Sequence, residues 1–223
     1  MCRRNQEICQ IINRFRNKTC LMFIPSMFKF ESEVEKIAFM KQYSFATIIT
    51  TNNNVPLATQ LPFVIAEREE KLILSGHFAL ANEQSKYIEE NTSLVIFTEP
   101  HAYISPLHYD KRESVPTWDY IAVHAYGKAK IIINEDLKLK ALEEMIMVYE
   151  QAYLEQWNSL SDKFKRGMIK GIVAFELEVS DLQGQKKLSQ NKSEVERQRI
   201  IQQLEKSGSS IENDLANYIK KTI

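Results

Sequence analysis

Four histidines, His77, His101, His108 and His124, and three cysteines, Cys2, Cys9 and Cys20, are the side chains of this 223-residue sequence best suited to ligate a metal or attack an electrophile. Their spacing argues against both roles. The thiols all fall in the first twenty residues, as C-x6-C-x10-C with no histidine nearby, a poor match to a zinc site. No two histidines stand at helical ligand spacing, so no metal set is expected. Neither G-x-S-x-G nor H-E-x-x-H occurs. The six glycines, at 76, 127, 167, 171, 184 and 208, form neither a P-loop nor G-x-G-x-x-G. No catalytic motif is identified. What remains is hydrogen-bonding and stacking chemistry, supplied by side chains and backbone without a glycine cradle.

Two segments concentrate that chemistry. In "SGHFALANEQ" a strand ends at Ser75 and Gly76, and a helix is expected to start near Asn82. Free amides and the positive end of such a helix form an anion site, to which Ser75, His77 and Asn82 can add hydrogen bonds. The plainer reading is that Asn82 caps the helix and His77 packs. The second segment, "HAYISPLHYDKRESVPTWDY" at 101–120, reads as a long loop stiffened by Pro106 and Pro116. Its Tyr103, Tyr109, Trp118 and Tyr120 offer flat faces with polar edges, as a stacked planar ring requires. A long loop this aromatic reads as the wall of a binding site or as a subunit interface.

Strands must position both segments. "SFATIITT", "VPLATQLPFVIA", "KLILSG", "SLVIFT", "YIAVHAYGKAKIII" and "GIVAFELEVS" read as six strands rich in β-branched and aromatic residues. Asn52 to Asn54 make a hairpin of the first two. Short turns joining the early strands favour an antiparallel barrel, since closure hides the edges. Helices are added to it. "ESEVEKIAFMKQY" opens with Ser32 three residues before Glu35, a capping-box spacing, and "ALANEQSKYIEEN" reads as a short helix. A long helix is expected over 136–157, with Leu139, Leu142, Ile146, Tyr149 and Tyr153 as a core-facing stripe. Two helices around a turn are expected over 193–221. The fold class is therefore mainly β with added helices.

Charge narrows the partners. The chain carries 29 basic and 29 acidic residues, so no global field draws it to nucleic acid or lipid. The segment 1–21 holds five basic residues and one acidic, leaving 24 and 28, or −4, for residues 22–223. Residues 1–21 read as a flexible basic extension, with Met22 as an alternative start, and 22–223 as one domain. No stretch approaches the ~20 apolar residues of a membrane span. Thiols confined to that extension suit a reducing cytoplasm.

The segments "MFIPSMF" at 22–28, "GHFALANEQ" at 76–84, "PHAYISPLHY" at 100–109, "VPTWDYIAVHAYGKA" at 115–129 and "KLSQNKS" at 187–193 together resemble the PaiB family, described as FMN-binding negative transcriptional regulators. The likeness runs nearly unbroken from Met22 to the C-terminus. It implies an FMN-binding split β-barrel, usually a homodimer with two sites at the subunit interface. By that analogy Gly76, His77, Ala81 and Asn82 surround the phosphate, Thr59 and Gln60 line the strand beneath, and Trp118 flanks the ring. Flavin-binding relatives commonly neutralise the phosphate with Arg or Lys. "GHFALANEQ" holds neither, and Lys86 is the nearest. Lys187, Ser189, Gln190 and Asn191 form a second polar cluster that could close over the partner subunit's site, or simply cap a helix through Asn191 or Ser193.

The resemblance also implies transcriptional regulation, which the residues qualify. A recognition helix must meet phosphates, yet the last helix begins "IENDL", bringing Glu212 and Asp214. Regulation is therefore expected to act indirectly or through a weak DNA contact. A flavin-dependent oxidoreductase or flavin reductase is the alternative function, with His77, His101 and Tyr103 as proton donors. A haem-binding split barrel ligated by His101, His108 or His124 is a third.

Overall fold

Two tight turns set the path of the first strands. Asn53 and Asn54 take φ of 48° and 65°, so a two-residue turn joins β1 (Phe45–Asn52) to β2 (Val55–Pro62). Asparagine tolerates this left-handed backbone because its short polar side chain bonds locally. Glu69 and Glu70, at φ 50° and 63°, do the same between β3 (Val64–Arg68) and β4 (Lys71–Ala79). The structure is a computed structural model that describes residues 22–223, so the expectations for residues 1–21 and for a start at Met22 lie outside the described residues.

Among the described residues the sheet continues with β5 (Thr92–Ile104), β6 (Thr117–Ile131) and β7 (Ile172–Lys187), in the order β2-β1-β5-β6-β7-β4-β3, all antiparallel. Seven strands are named, but six paths are drawn. β2 and β3 form one chain run that changes partner at Phe63. Before it Pro62 faces Phe45 of β1, and after it Val64 faces Ser75 of β4. Phe63 is fully buried, donates its N–H to Ser44 O at 2.9 Å, and meets the Phe97 and Phe175 rings with centroids 6.0 and 6.2 Å away. The bend closes the sheet into a barrel and leaves a split. Along the split, β2 pairs only with β1, and Gly76–Ala79 of β4 pair only with β7.

Period-two alternation fills the barrel. Ile48, Leu74, Phe78, Val95, Phe97, Ile121, Val123 and Phe175 are all fully buried. At the bulge between Tyr126 and Gly127, β7 comes so close that a Cβ on Gly127 would stand 2.2 Å from Glu178 O. No side chain fits there.

Helices complete the fold. α1 (Glu33–Gln42) starts at Ser32, whose Oγ accepts from Glu35 N at 3.2 Å. The Glu35 carboxylate accepts from Lys186 at 2.6 Å. α2 (Glu135–Tyr149), α3 (Leu154–Ser159) and α4 (Asp162–Ile169) form an arm, and α5 (Glu194–Lys206) and α6 (Ser210–Lys220) a C-terminal pair. A full capping box at Ser193 and Glu196 opens α5, and Ile200, Leu204, Leu215 and Ile219 bury the pair against the barrel.

Three expectations are corrected. The helix expected over 136–157 breaks at Glu150, where φ −155° and ψ 73° leave helical space, and its stripe is not core, since no α2 residue is buried in this chain. Met147 and Val148 are half exposed. The expected helix in "ALANEQSKYIEEN" shrinks to a four-residue 3-10 turn, Glu83–Lys86. Finally, the aromatic loop is shorter than its composition suggests. His101–Ile104 belong to β5, with His101 opposite Tyr120 and Tyr103 opposite Trp118, so the loop covers only residues 105–116.

Candidate functional site

The split is bridged by side chains. Thr59, on the inward face of β2, donates to Gln84 Oε1 at 2.7 Å and accepts from Asn82 Nδ2 at 2.9 Å. Asn82 Oδ1 takes the Gln84 N–H at 3.0 Å. Gln84 is 3% exposed, and its Nε2 donates to Ile48 O at 3.1 Å and to Thr50 Oγ1 at 3.2 Å. Thr50 and Ser93, both buried, share a hydrogen bond of 2.8 Å. A chain of bonds thus runs from β5 through β1 to the 3-10 turn and back to β2. It holds the turn after β4 against the split without a ladder, and every named group in it is paired.

What the split offers a ligand follows from that lock. Ala58 and Gln60 of β2 turn their N–H and C=O away from β1, and these backbone groups face the opening. Gln60 lies exposed on the outer face opposite Thr47, and Ala81 is exposed on the turn. Gly76 looks the other way, since a Cβ there would point at the Phe63 and Phe175 rings at 3.4 Å. Ser75 and His77 alternate onto the face opposite Gly76. The Ser75 hydroxyl is buried with no hydrogen-bond partner among the described residues. Burial pushes the His77 imidazole below its ordinary value, favouring the neutral ring. The expected helix dipole at Asn82 loses its basis, because a single 3-10 turn aligns few peptide dipoles. Lys86, the nearest cation, is paired with Glu83 at 2.7 Å in the open, a weak pair that an anion can exchange.

Trp118 and the KLSQN segment make a separate cluster at the far end of β6. Trp118 is 53% exposed, and its ring stands 6.0 Å from Tyr103 and 6.1 Å from His101. Next to it, Asp119 is fully buried. Ser189 Oγ donates to its Oδ2 at 2.6 Å, while Oδ1 has no partner among the described residues. Desolvation raises this carboxyl to about 6, against the opposing pull of the Ser189 hydrogen bond and Lys187. Lys187 donates to Trp118 O at 2.8 Å and to Thr117 Oγ1. Gln190 is spent locally, accepting from Leu188 N at 2.7 Å and donating to Lys186 O at 2.6 Å. Asn191 is exposed, and the cap of α5 is Ser193. Lys192 sits 3.6 Å above the Tyr109 ring, whose buried hydroxyl is also unpartnered. α5 ties down the adjoining loop, with Glu196 accepting from Asp110 N at 2.9 Å and Arg199 bonding Asp110 at 2.6 Å.

The sequence-based candidates therefore fall into two groups. Thr59, Gln60, His77, Ala81 and Asn82 border the split. Trp118, Lys187, Ser189, Gln190 and Asn191 gather elsewhere. Gln60 shares a row with His124 across β1, β5 and β6. Trp118 lies six residues further along β6, so about 20 Å along the sheet and about 15 Å across it separate the groups in one chain. Sequence reasoning missed Asp119, Thr50 and Ser93 altogether, and Gln84 as a participant. The signal for Asp119 was present: in "TWDYIAV" it shares the inward parity of Ile121 and Val123, where an acidic residue must be buried. Among the described residues no His, Cys, Asp and Glu group suits a metal ion.

A barrel closed by one bent strand, with an unladdered split and an aromatic platform on its outer face, is a split barrel. A flavocytochrome from Azotobacter vinelandii shares the fold with a TM-score of 0.57 at 16% identity, over 71% of this chain and 69% of that one. An FAD- and haem-binding protein from Mycobacterium smegmatis gives 0.56 at 13%, over 71% and 73%. Residues 22–181 match the family model described as "Putative FMN-binding domain". The "protease synthase and sporulation protein PAI 2" of Bacillus subtilis is 40% identical over 187 residues, covering 82% of this chain and 89% of its own. A protein of Emericella nidulans is 28% identical over 219 residues, covering 78% and 87%. The chain belongs to the FMN-binding PaiB family.

Proposed function

We propose that this chain is a cytoplasmic homodimer that binds FMN at the subunit interface and acts as a negative transcriptional regulator without strong direct contact to DNA. The observation that carries the dimer is the distance between the two groups. A split with free backbone donors and acceptors suits the polar rim of a planar heterocycle, and exposed Trp118 suits its face. In one chain they are too far apart to serve one ligand. A second copy docked on the outer sheet face unites them, and that face is built for contact. Ile49, Leu94 and Ile96 lie half-buried in its centre, with Phe45 65% exposed at its edge. His124 stands among them, its Nδ1 without a hydrogen-bond partner among the described residues.

In this reading Thr59, Gln60, Ala81, Asn82 and His77 hold and orient the flavin on one protomer. Gly76 keeps the wall behind them flat. Trp118 comes from the partner, placed there by Lys187 and, through Asp119, by Ser189, with Gln190 fixing the turn and Asn191 at its surface. Bound FMN supplies hydride and electron chemistry, and the chain supplies position. The electrostatics favour indirect regulation. Residues 22–223 carry a net −4, and Asp214 of the last helix is turned inward to accept from the Tyr43 hydroxyl at 3.1 Å.

Sedimentation velocity and the visible spectrum of the purified protein test the reading together. A dimer that takes up one FMN per protomer supports it. A monomer at micromolar concentration, or no saturable FMN uptake, overturns it. Steady oxidation of NADH or NADPH by the loaded dimer would make it an oxidoreductase instead.

A further inference from the structure

A third site lies away from the split and adjoins the Lys187–Gln190 turn through Lys186 and Leu188, in the cleft between α1, the end of β7 and the end of α6. It encloses about 380 Å³, within the range of small-molecule sites. Phe30 and Phe39 form the floor, with ring centroids 6.3 Å apart, and Tyr218 stands 6.3 Å from Phe39 as a wall. Its polar edge is fixed. Tyr218 Oη donates to Gln42 Oε1 at 3.1 Å, Gln42 Nε2 donates to Tyr43 Oη at 3.0 Å, and Tyr43 Oη donates to Asp214 at 3.1 Å. Two ammonium groups border the cleft. Lys186 Nζ lies 4.0 Å from the Phe30 ring centre and is held by Glu35 at 2.6 Å. Lys221 Nζ lies 5.0 Å from the Tyr218 ring centre, and no carboxylate pairs with it among the described residues. With Glu35 included, the lining carries one net positive charge.

We infer that this cleft binds a small aromatic carboxylate. An aromatic body fits against the Tyr218 ring, above the packed floor of Phe30 and Phe39, where edge and offset ring contacts are available. Its carboxylate reaches the ammonium groups of Lys186 and Lys221, each already oriented by the ring beneath it, so little side-chain freedom is lost on binding. Gln42 is pinned between two tyrosine hydroxyls and gives the rim a fixed polar edge. The site does not depend on flavin or on a second copy, since every named residue comes from one chain and none borders the split.

Titration of the full chain with indole-3-acetate and benzoate, followed by amide NMR and calorimetry, tests this. Saturable sub-millimolar binding is expected, with shifts centred on the amides of Phe39, Leu188 and Tyr218. Lys221→Gln should weaken it about tenfold, about the effect of losing one charge-assisted contact. Lys220→Gln should leave it unchanged, because that ammonium is paired with Glu205 on the other side of the helix end. Lys186→Gln should act like Lys221→Gln, with circular dichroism confirming the fold. No saturation by either acid up to about 10 mM, in the weakest range of specific binding, overturns the inference. Equal binding of benzylamine, or indifference to Lys221→Gln, also overturns it.

Discussion

Two polar clusters sit at opposite ends of the same sheet, and they differ in how completely they are finished. Around the split, Thr59, Asn82, Gln84, Thr50 and Ser93 satisfy one another, which leaves the Ser75 hydroxyl on β4 outside the network. At the Trp118 end, one Asp119 oxygen and the buried Tyr109 hydroxyl have no hydrogen-bond partner among the described residues, and an indole stands half in solvent. A fully paired buried network rigidifies what it joins, while an incomplete one retains capacity for another group. The split thus behaves as a fixed frame, and the Trp118 end as a surface waiting for something to cover it.

Removing the central member of the finished network gives the largest expected effect. Gln84→Ala deletes three side-chain bonds and leaves a cavity where the buried side chain stood, so unfolding should cost roughly 2–4 kcal/mol less. Urea denaturation measures it, and a loss below about 0.5 kcal/mol would show that the bridge is ornamental. The unfinished cluster should respond to pH instead. Asp119 rises from 3.8 to about 6 on folding, so the folded state binds more protons than the unfolded chain between those values. Stability from this group is complete below pH 3.8 and is lost as pH rises toward 6, a change on the order of 2–3 kcal/mol. Asp119→Asn should flatten that slope, so the variant gains on the parent between pH 4 and 7. Parallel pH dependence of the two proteins would place the titration elsewhere.

The same contrast explains what could be read from sequence. The strands were legible because alternation and β-branched residues mark a half-buried sheet, and the Asn53–Asn54 turn carries its own backbone preference. The change of partner at Phe63 was not, because it depends on where β1 ends and β4 begins. Helix 136–157 misled for a related reason. Leu139, Leu142 and Ile146 form a regular stripe, but periodicity shows that a face is apolar and not what covers it. In the candidate site, "GHFALANEQ" drew attention to Asn82, while the bonds that fix it come from Thr59 and Gln84, more than twenty residues apart. His101 and Tyr103 read as loop because prolines flank them, and the ladder with Trp118 and Tyr120 is long-range.

If the Trp118 end is covered by a second copy, Trp118→Ala should weaken FMN binding and dimerisation together, each by about tenfold or more, as loss of a buried aromatic anchor does. Fluorescence titration and sedimentation equilibrium read the two separately. Weakened FMN binding in an intact dimer would confine Trp118 to the ligand. An unchanged FMN affinity would remove it from the site.

The smallest effect sharpens the comparison most, because it separates backbone from side chain at one residue. Ser189 takes φ of 55° while its hydroxyl bonds Asp119. Ser189→Ala keeps the strained backbone and loses the bond, at about 1–2 kcal/mol. Ser189→Gly loses the same bond but relieves the left-handed strain, by about 1 kcal/mol. The glycine variant should therefore be the more stable of the two, with Asp119 titrating higher in both, since the bond to Ser189 is what draws its carboxyl down. An alanine variant as stable as the glycine variant would mean the turn is not strained. The loss that both variants share against the parent then reads the Ser189–Asp119 bond alone, and no loss would make the carboxylate beneath the KLSQN segment a bystander.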